Sequence, residues 1–393
     1  MRVYMDNAAT TSLDRDVLQQ MLPYFSEEFG NASSVHSYGR KARAAIDKAR
    51  QQVATAINAS PAEIYFTSGG TESDNIALKG VAAAYANKGK HIITSAIEHH
   101  GVLHSAQYLE KHGYEVDYIQ ADEDGLIDVE AVKAAVRTDT ILISIMFANN
   151  EIGTIQPVAE IGAFARGKGI LFHTDAVQAV GSIPVDVQAM NIDLLALSAH
   201  KFNGPKGVGA LYARKGVRFE AQIHGGAQER NKRAGTDNTP GIVGMGYAIE
   251  KAVAALEEKS AHLSRLRDNL IDGILTRIPH TRLNGHPTKR LAGNVNVSIE
   301  FIEGESLLLS LDMKGIAASS GSACTSGSLD PSHVLLGIGL SHAIAHGSLR
   351  LSLGAGNTQE EVDYVLDELV PIVERLREMS PLFAQVKGDA KYV

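Results

Sequence analysis

Between Glu63 and Arg214 the chain alternates short apolar runs with longer amphipathic stretches. The runs are EIYFT, HIITSA, EVDYIQ, ILISIMF, GILFHTD, DLLALSA and GVGALYA. Each is nearly continuous in apolar residues, the pattern of a strand buried on both faces. Amphipathic segments such as 75–88 and 102–112 lie between them. Strands that alternate with helices predict a wound α/β sheet, mostly parallel and covered by helices. A helix over 38–57, with Ala, Ile and Val at helical spacing, is expected to pack on this layer.

From about Gly241 to Ile278 the pattern predicts one long helical segment, and Gly244, Gly246 and Ser260 predict a bend in it. Beyond it the style changes. NVNVSIE reads as a strand of period two, ESLLLSLDMKG as a helix closed by Gly315, and GSLRLSL as another strand. The last helix opens with a capping box, Thr358 to Glu361, and Pro371 is expected to kink it. These elements predict a second, smaller α+β domain. No internal repeat and no low-complexity linker is apparent.

Composition narrows the function classes. Among 393 residues, 44% are apolar and 21% charged, as in ordinary globular proteins. The net charge of −8 argues against a nucleic-acid surface, which would be basic. A single cysteine excludes an intramolecular disulfide and a Cys-rich metal site, and points to a reducing cytoplasm. The opening MRVYMDNAATT has no apolar core of a secretory signal, so none is expected. No run of about 18 apolar residues predicts a membrane span.

The polar residues collect where the apolar runs end. After EIYFT stands SGGTESDN, either a plain helix cap or an anion site at a helix start. After HIITSA stand Glu98, His99 and His100; after ILISIMF, Asn149, Asn150 and Glu151. Asp175 and Gln178 follow GILFH, and Ser198, His200 and Lys201 close DLLALSA. Any one of these has an ordinary structural explanation, but four strand ends in a row argue for a ligand beyond the carboxyl edge of the sheet. His99, His100 and His104 invite a metal reading, which needs three or four ligands and is not adopted: no metal is expected. The set fits pyridoxal phosphate. Lys201 can form a Schiff base, Asp175 can hold a protonated pyridine nitrogen, and the Gly70-Thr71 turn can hold a phosphate, joined by Ser198 and His200. His99 is placed to stack on the ring and shuttle protons, with Gln178 and Asn150 near the phenolic oxygen.

The motifs YMDNAATT, FGNASSVHSYG, FTSGGTESDN, EHHGVL, ANNEIGTIQP, HTDAVQAVG, SAHKFNGPKGVGALY, SSGSACTS and GSLRLSLG occur in the order in which they appear in a known family. Across essentially its whole length the chain resembles the cysteine desulfurases of the NifS/IscS type, fold-type I pyridoxal-phosphate enzymes of aminotransferase class V. The resemblance implies a large domain with a mostly parallel seven-stranded sheet over 15–258, and a small α+β domain from 1–14 and 259–393. It implies conversion of L-cysteine to L-alanine, with sulfur captured as a persulfide on Cys324 and passed to an iron–sulfur scaffold or tRNA-thiolation acceptor. Lys201 would be the Schiff-base lysine, Asp175 the partner of the pyridine nitrogen, and Gln178 that of the phenolic oxygen. Gly70, Thr71, Ser198 and His200 would bind the phosphate, and Thr236 would reach the phosphate of a second subunit, implying a homodimer. Asn150, Arg350 and Asn31 would bind substrate, and His99 would take part in proton transfer. Since the Ser/Gly segment offers no cation to lower the thiol's pKa, a group such as His99 is expected to take the Cys324 proton late, as the loop closes.

The chain departs from the family at several points. GGAQERNKRAGT has Ala227, Asn231 and Ala234 where glycine, glycine and serine are usual, and Asn231 is expected to keep a left-handed backbone. Ala32 replaces a common proline, Gly70 a common alanine, and Ala355 a usual arginine. Cys324 lies in SSGSACTSGS, where seven of ten residues are Ser or Gly, which predicts a mobile tether; the tail QVKGDAKYV is expected to be disordered or to contact a partner. Another class V enzyme, or a scaffold that keeps the fold without catalysis, are the rival readings.

Overall fold

The computed structural model describes residues 1–320 and 331–384. The reading of 319–328 as a tether, with Cys324, and that of the tail at 385–393 therefore fall largely or wholly outside the described residues.

All seven apolar runs are strands of one sheet. With β1 (Val3–Tyr4) preceding them, they are β2 (Ile64–Thr67), β3 (His91–Ser95), β4 (Glu115–Ile119), β5 (Thr140–Ser144), β6 (Leu171–Asp175), β7 (Leu194–Ser198) and β8 (Gly209–Ala213). Their order is β2-β8-β7-β6-β5-β3-β4. Only β8 runs antiparallel to its neighbours, β2 and β7. The alternation of strand side chains puts consecutive residues on opposite faces. Ile93, Ile143 and Leu195 join one core while Ile92, Leu142 and Leu194 join the other. The first core is covered by the helices Ser37–Ala56, Val158–Lys168 and Thr239–Ala254. The second is covered by His100–Glu110 and by the helix that starts at Gly70 and continues through a π-helical turn, Ile76–Gly80, to Tyr85.

The small unit pairs β12 (Ser348–Ser352) and β9 (Thr281–Leu283) on either side of β10 (Asn294–Ile299), all antiparallel. β11 (Ile316–Ala317) pairs in parallel with β1, so the first strand of the chain belongs here. Leu256–Arg277, Gly304–Met313 and Gln359–Glu378 pack over these strands. Gly315 follows the second of these helices with φ +76°, the left-handed closure expected there. The last helix has its capping box and runs on through Pro371. Residues Val334 to Ala345 pack with the first core of the large sheet.

Two expectations are corrected. The long helical segment breaks at Ala255, not at Gly244, Gly246 or Ser260. The reason is a change of partner: Ile242, Met245 and Ile249 pack in the large core, whereas Leu263, Leu266 and Leu270 pack in the small one. The two glycines instead permit close packing, since a Cβ on Gly244 would lie 2.6 Å from Met21 Sδ and one on Gly246 2.7 Å from Ala49 Cα. β10 is buried on both faces despite its period of two. Its polar face meets other polar groups: Asn294 and Asn296 each donate to the Glu151 carbonyl at 3.0 Å, and Asn284 donates to Ser298 Oγ at 2.9 Å. Among the described residues no helix is long and apolar enough to cross a membrane.

Candidate active site

β2 opposes β8, and β8 opposes β7, so β2 points the same way as the parallel strands. The carboxyl ends of β2, β3, β5, β6 and β7 therefore open on one edge. This edge of an open α/β sheet is where ligands bind. It carries Gly70 and Thr71, His99, Asn150, Asp175, and then Ser198 with the short helical turn Ala199–Lys201.

These residues meet. A cavity of 290 Å³ is lined by Gly70, Thr71, His99, Asn150, Asp175, Gln178, Ser198, His200, Lys201 and Arg350, together with Ala8 and Ala9 from the N-terminal segment. Asn31 and Thr236 are exposed and do not line it. A second cavity, of 70 Å³, shares Gln178 and Lys201 with the first and is lined by Ala355 and Lys259.

Lys201 Nζ donates to the carbonyls of Ala8 at 2.5 Å and Ala9 at 2.9 Å. Gln178 Nε2 donates to the same Ala8 carbonyl at 3.0 Å. Asp175 Oδ1 accepts the Val177 N–H at 2.9 Å. Burial raises the Asp175 pKa, and the nearby His99 and Lys201 oppose that rise. His99 caps its helix: its Nδ1 accepts the Gly101 N–H at 3.0 Å. A ring nitrogen that accepts carries no proton, so neutral His99 holds its proton on Nε2. Burial lowers the His99 pKa; the Asp175 carboxylate opposes this, and Lys201 and His104 add to it. Burial also takes His200 down to about 4, so both imidazoles are neutral near pH 7. Arg350, 2% exposed, donates to Asp6 Oδ1 and to the Asn150 carbonyl, each at 3.0 Å, while its Nε is buried without a partner.

The Gly70 end of the cavity has the shape of a cradle. A Cβ on Gly70 would lie 2.5 Å from Val177 Cγ2, and one on Gly209 2.7 Å from Gly69 Cα. Backbone N–H groups thus stand at a helix start with no side chain in front of them, an arrangement suited to an anion. Glu72, in that first turn, pairs with Arg233 at 2.8 Å. Arg233 lies in the loop that leads to Thr236. That loop contains three successive non-glycine residues with positive φ: Glu229 (43°), Arg230 (57°) and Asn231 (64°). The expected left-handed Asn231 is present with two strained neighbours. They are held by a buried pair of contacts from Arg50 to Glu229, both 2.7 Å, and by Glu229 Oε2 accepting the Phe66 N–H at 2.9 Å.

The sequence analysis missed Asp74 and His173. Asp74 lines the cavity, and single ligand-type atoms of Asp74, His99 and Asp175 lie within 4.8 Å of one another. A signal was available: His173 and Asp175 alternate onto one side of a strand. Glu98 and Glu151, noted only as strand-end residues, are fully enclosed acids. Burial takes Glu98 up to about 8 and Glu151 to about 7.

The donor set fits pyridoxal phosphate: a lysine amine, a buried carboxylate in need of a cation, an amide donor, an imidazole and an anion cradle surround one cavity. The class-V aminotransferase family model matches residues 3–365. The cysteine desulfurase IscS of Methanosarcina thermophila is 60% identical over 380 residues, 97% of this chain and 94% of that protein. The cysteine desulfurase IscS of Clostridium botulinum strain Hall is 58% identical over 384 residues, 97% of each. A solved NifS-like protein superposes with a TM-score of 0.90 at 42% identity, covering 96% of this chain and all of that one. A structure titled SspA in complex with cysteine gives a TM-score of 0.81 at 39% identity, covering 91% of this chain and all of that one. The chain belongs to the class-V aminotransferase family and, within it, to the cysteine desulfurases, with pyridoxal phosphate as cofactor.

Proposed function

We propose that the chain converts L-cysteine to L-alanine and keeps the sulfur as a persulfide on Cys324. When bound, pyridoxal phosphate supplies an electron sink for the substrate's α-carbon. Lys201 would hold the cofactor through its amine and would move the substrate's α-proton. Asp175 would hold the ring nitrogen, Gln178 the phenolic oxygen, and Gly70, Thr71, Ser198 and His200 the phosphate. Arg350 and Asn150 orient the substrate carboxylate, with Asn31 assisting from outside the cavity.

Cys324 Sγ then bonds to the substrate sulfur as the carbon–sulfur bond breaks. The electron pair stays with the carbon, which takes a proton to become the methyl group of alanine, and Cys324 carries S–SH. His99 would stack on the ring, and its Nδ1 accepts from Gly101, which leaves the proton on Nε2. That tautomer suits donation of a proton or stabilisation of a thiolate. Taking the Cys324 proton at Nδ1 would require His99 to give up its bond to Gly101.

The exposed Thr236 and the loop braced by Arg50 and Glu229 support a homodimer in which Thr236 reaches the partner's phosphate. The division into a large domain over 15–258 and a small one from 1–14 and 259–393 is part of this reading. So is a cytoplasmic setting, where a lone thiol can pass its sulfur to an iron–sulfur scaffold or another acceptor protein.

The observation that carries the reading is the convergence of ten predicted residues on one cavity. The test is incubation of the purified holoenzyme with L-cysteine. Alanine should form, and peptide mapping should place one extra sulfur on Cys324. Alanine without sulfur on Cys324 would remove that residue from the mechanism.

A further inference from the structure

Beside Asp175 the cavity wall contains a second carboxyl group that the proposed chemistry does not use. Asp74 is 1% exposed and stands in the first turns of the helix that begins at Gly70. Gly101 keeps the space around it narrow: a Cβ there would lie 3.0 Å from Asp74 Oδ2 and 3.2 Å from His99 Nδ1. Two carboxylates this close in a dry interior cannot both ionise without a large penalty, so one of them keeps a proton.

The basic group that faces Asp74 is His173. Its ring is fully buried, with Nε2 3.5 Å from Asp74 Oδ1 and Nδ1 2.8 Å from Ser144 Oγ. Neither oxygen of Asp74 makes a hydrogen bond, nor does His173 Nε2; these unsatisfied atoms face each other at 3.5 Å. Buried polar atoms are rarely left unsatisfied, and two such orphans facing each other are accounted for by one proton between them. The surrounding titratable groups are Asp175, Glu98, His99 and Lys201. Burial raises the Asp74 pKa well above the usual carboxylate range and lowers His173 to about 3. Both directions favour a neutral acid donating to a neutral imidazole, whose Nδ1–H then donates to Ser144.

We propose that Asp74 and His173 share one proton and form a positioning pair, net neutral, so that Asp175 alone presents a negative charge to the cofactor's ring nitrogen. The inference rests on the reading of Asp175 as the partner of that nitrogen. Without His173, the Asp74 O–H would turn to Asp175, the neighbouring acceptor, and weaken its hold on the ring.

The experiment measures cofactor affinity of the apoprotein and the pH midpoint of the bound cofactor's absorbance. His173→Phe should lower the affinity by roughly tenfold and move the midpoint down by about one unit, as expected when a facing carboxylate is partly neutralised. Asp74→Leu added to His173→Phe removes the stray donor and should restore both quantities. Asp74→Asn keeps a neutral donor to His173 and should leave the midpoint in place. The pair is refuted if His173→Phe titrates like the wild type, if the double variant is no better than the single one, or if Asp74→Asn shifts the midpoint. Should His173→Phe fail to fold, Asp74→Asn still decides. Asp175→Asn measured alongside separates the two readings. A shift there with none in His173→Phe sinks the pair alone, whereas no shift in Asp175→Asn removes the Asp175 role and the pair with it.

Discussion

Ser319 and Arg350 exchange both of their backbone hydrogen bonds, Ser319 N–H to Arg350 O at 3.1 Å and Arg350 N–H to Ser319 O at 2.6 Å. The described chain that precedes Cys324 in sequence is thereby tied to the strand that carries Arg350, the residue proposed to orient the substrate. Downstream, Ser332 Oγ donates to Glu151 Oε2 at 2.5 Å, and the His333 ring bonds to the Glu98 carbonyl at 2.9 Å.

Ser319→Pro removes the N–H that Arg350 accepts and leaves the cavity lining intact. A backbone hydrogen bond contributes about 1 kcal/mol net, enough for a several-fold effect. Alanine formation from L-cysteine should slow several-fold while the cofactor content of the purified protein stays at wild-type level. Equal loss of both would mean that this contact supports the fold rather than sulfur transfer.

Cys324→Ala should abolish multiple-turnover alanine formation, with a fall of at least about a hundredfold, because no other thiol of the chain can take the sulfur. Bound cofactor should be unaffected. Wild-type rates of alanine release from this variant would show that Cys324 is not the acceptor and would favour another class V reaction.

Lys201→Ala leaves the phosphate cradle and Asp175 in place but removes the covalent tether. Borohydride treatment of the wild-type holoenzyme should fix the cofactor to the Lys201 peptide, and the variant should lose the label entirely. Label on any other lysine would displace Lys201 from its role.

Arg350 is held by Asp6, and in the proposed role it would also meet the substrate carboxylate. Arg350→Ala should raise KM for L-cysteine by about tenfold or more. Arg350→Lys should fall between, since a point charge cannot keep both contacts. If Asp6 competes with substrate for the guanidinium, Asp6→Asn should lower KM by a few-fold. A higher KM in Asp6→Asn would show instead that Asp6 orients the arginine.

Glu98 is an acid whose folded pKa, about 8, lies above its ordinary 4.5 because burial outweighs the hydrogen bonds from Ser95 and Met146. The folded protein keeps a proton that the unfolded chain releases. The resulting stability is full below about pH 4.5 and is lost as pH rises through about 8. Glu98→Gln replaces the acid by a neutral amide of the same shape. Its melting temperature should gain on the wild type by several degrees across that window, equivalent to about 1 kcal/mol or more. A constant gap between the two proteins from acid to alkaline pH would mean that Glu98 is already ionised in the fold.

The apolar runs placed the seven strands of the large sheet: six are buried on both faces and read as nearly continuous apolar runs, whereas the edge strand β4 is partly exposed and its run carries Glu115 and Asp117. The ligand-facing edge followed from the same reading, since polar residues at four strand ends in a row have little structural use there. The resemblance then assigned roles to residues already in view. What the sequence could not resolve were choices between partners. The long helix breaks at Ala255 because its apolar stripe passes from one core to another, and a stripe does not say which core it meets. The polar face of β10 is buried because the large unit brings the Glu151 carbonyl to it, a contact 143 residues distant in the chain for Asn294. Asp74 and His173 looked like ordinary polar residues of a helix turn and a strand. Only the tertiary structure set them against each other beside Asp175, because burial and the distance between two charges, not residue type, decide which carboxyl group keeps its proton.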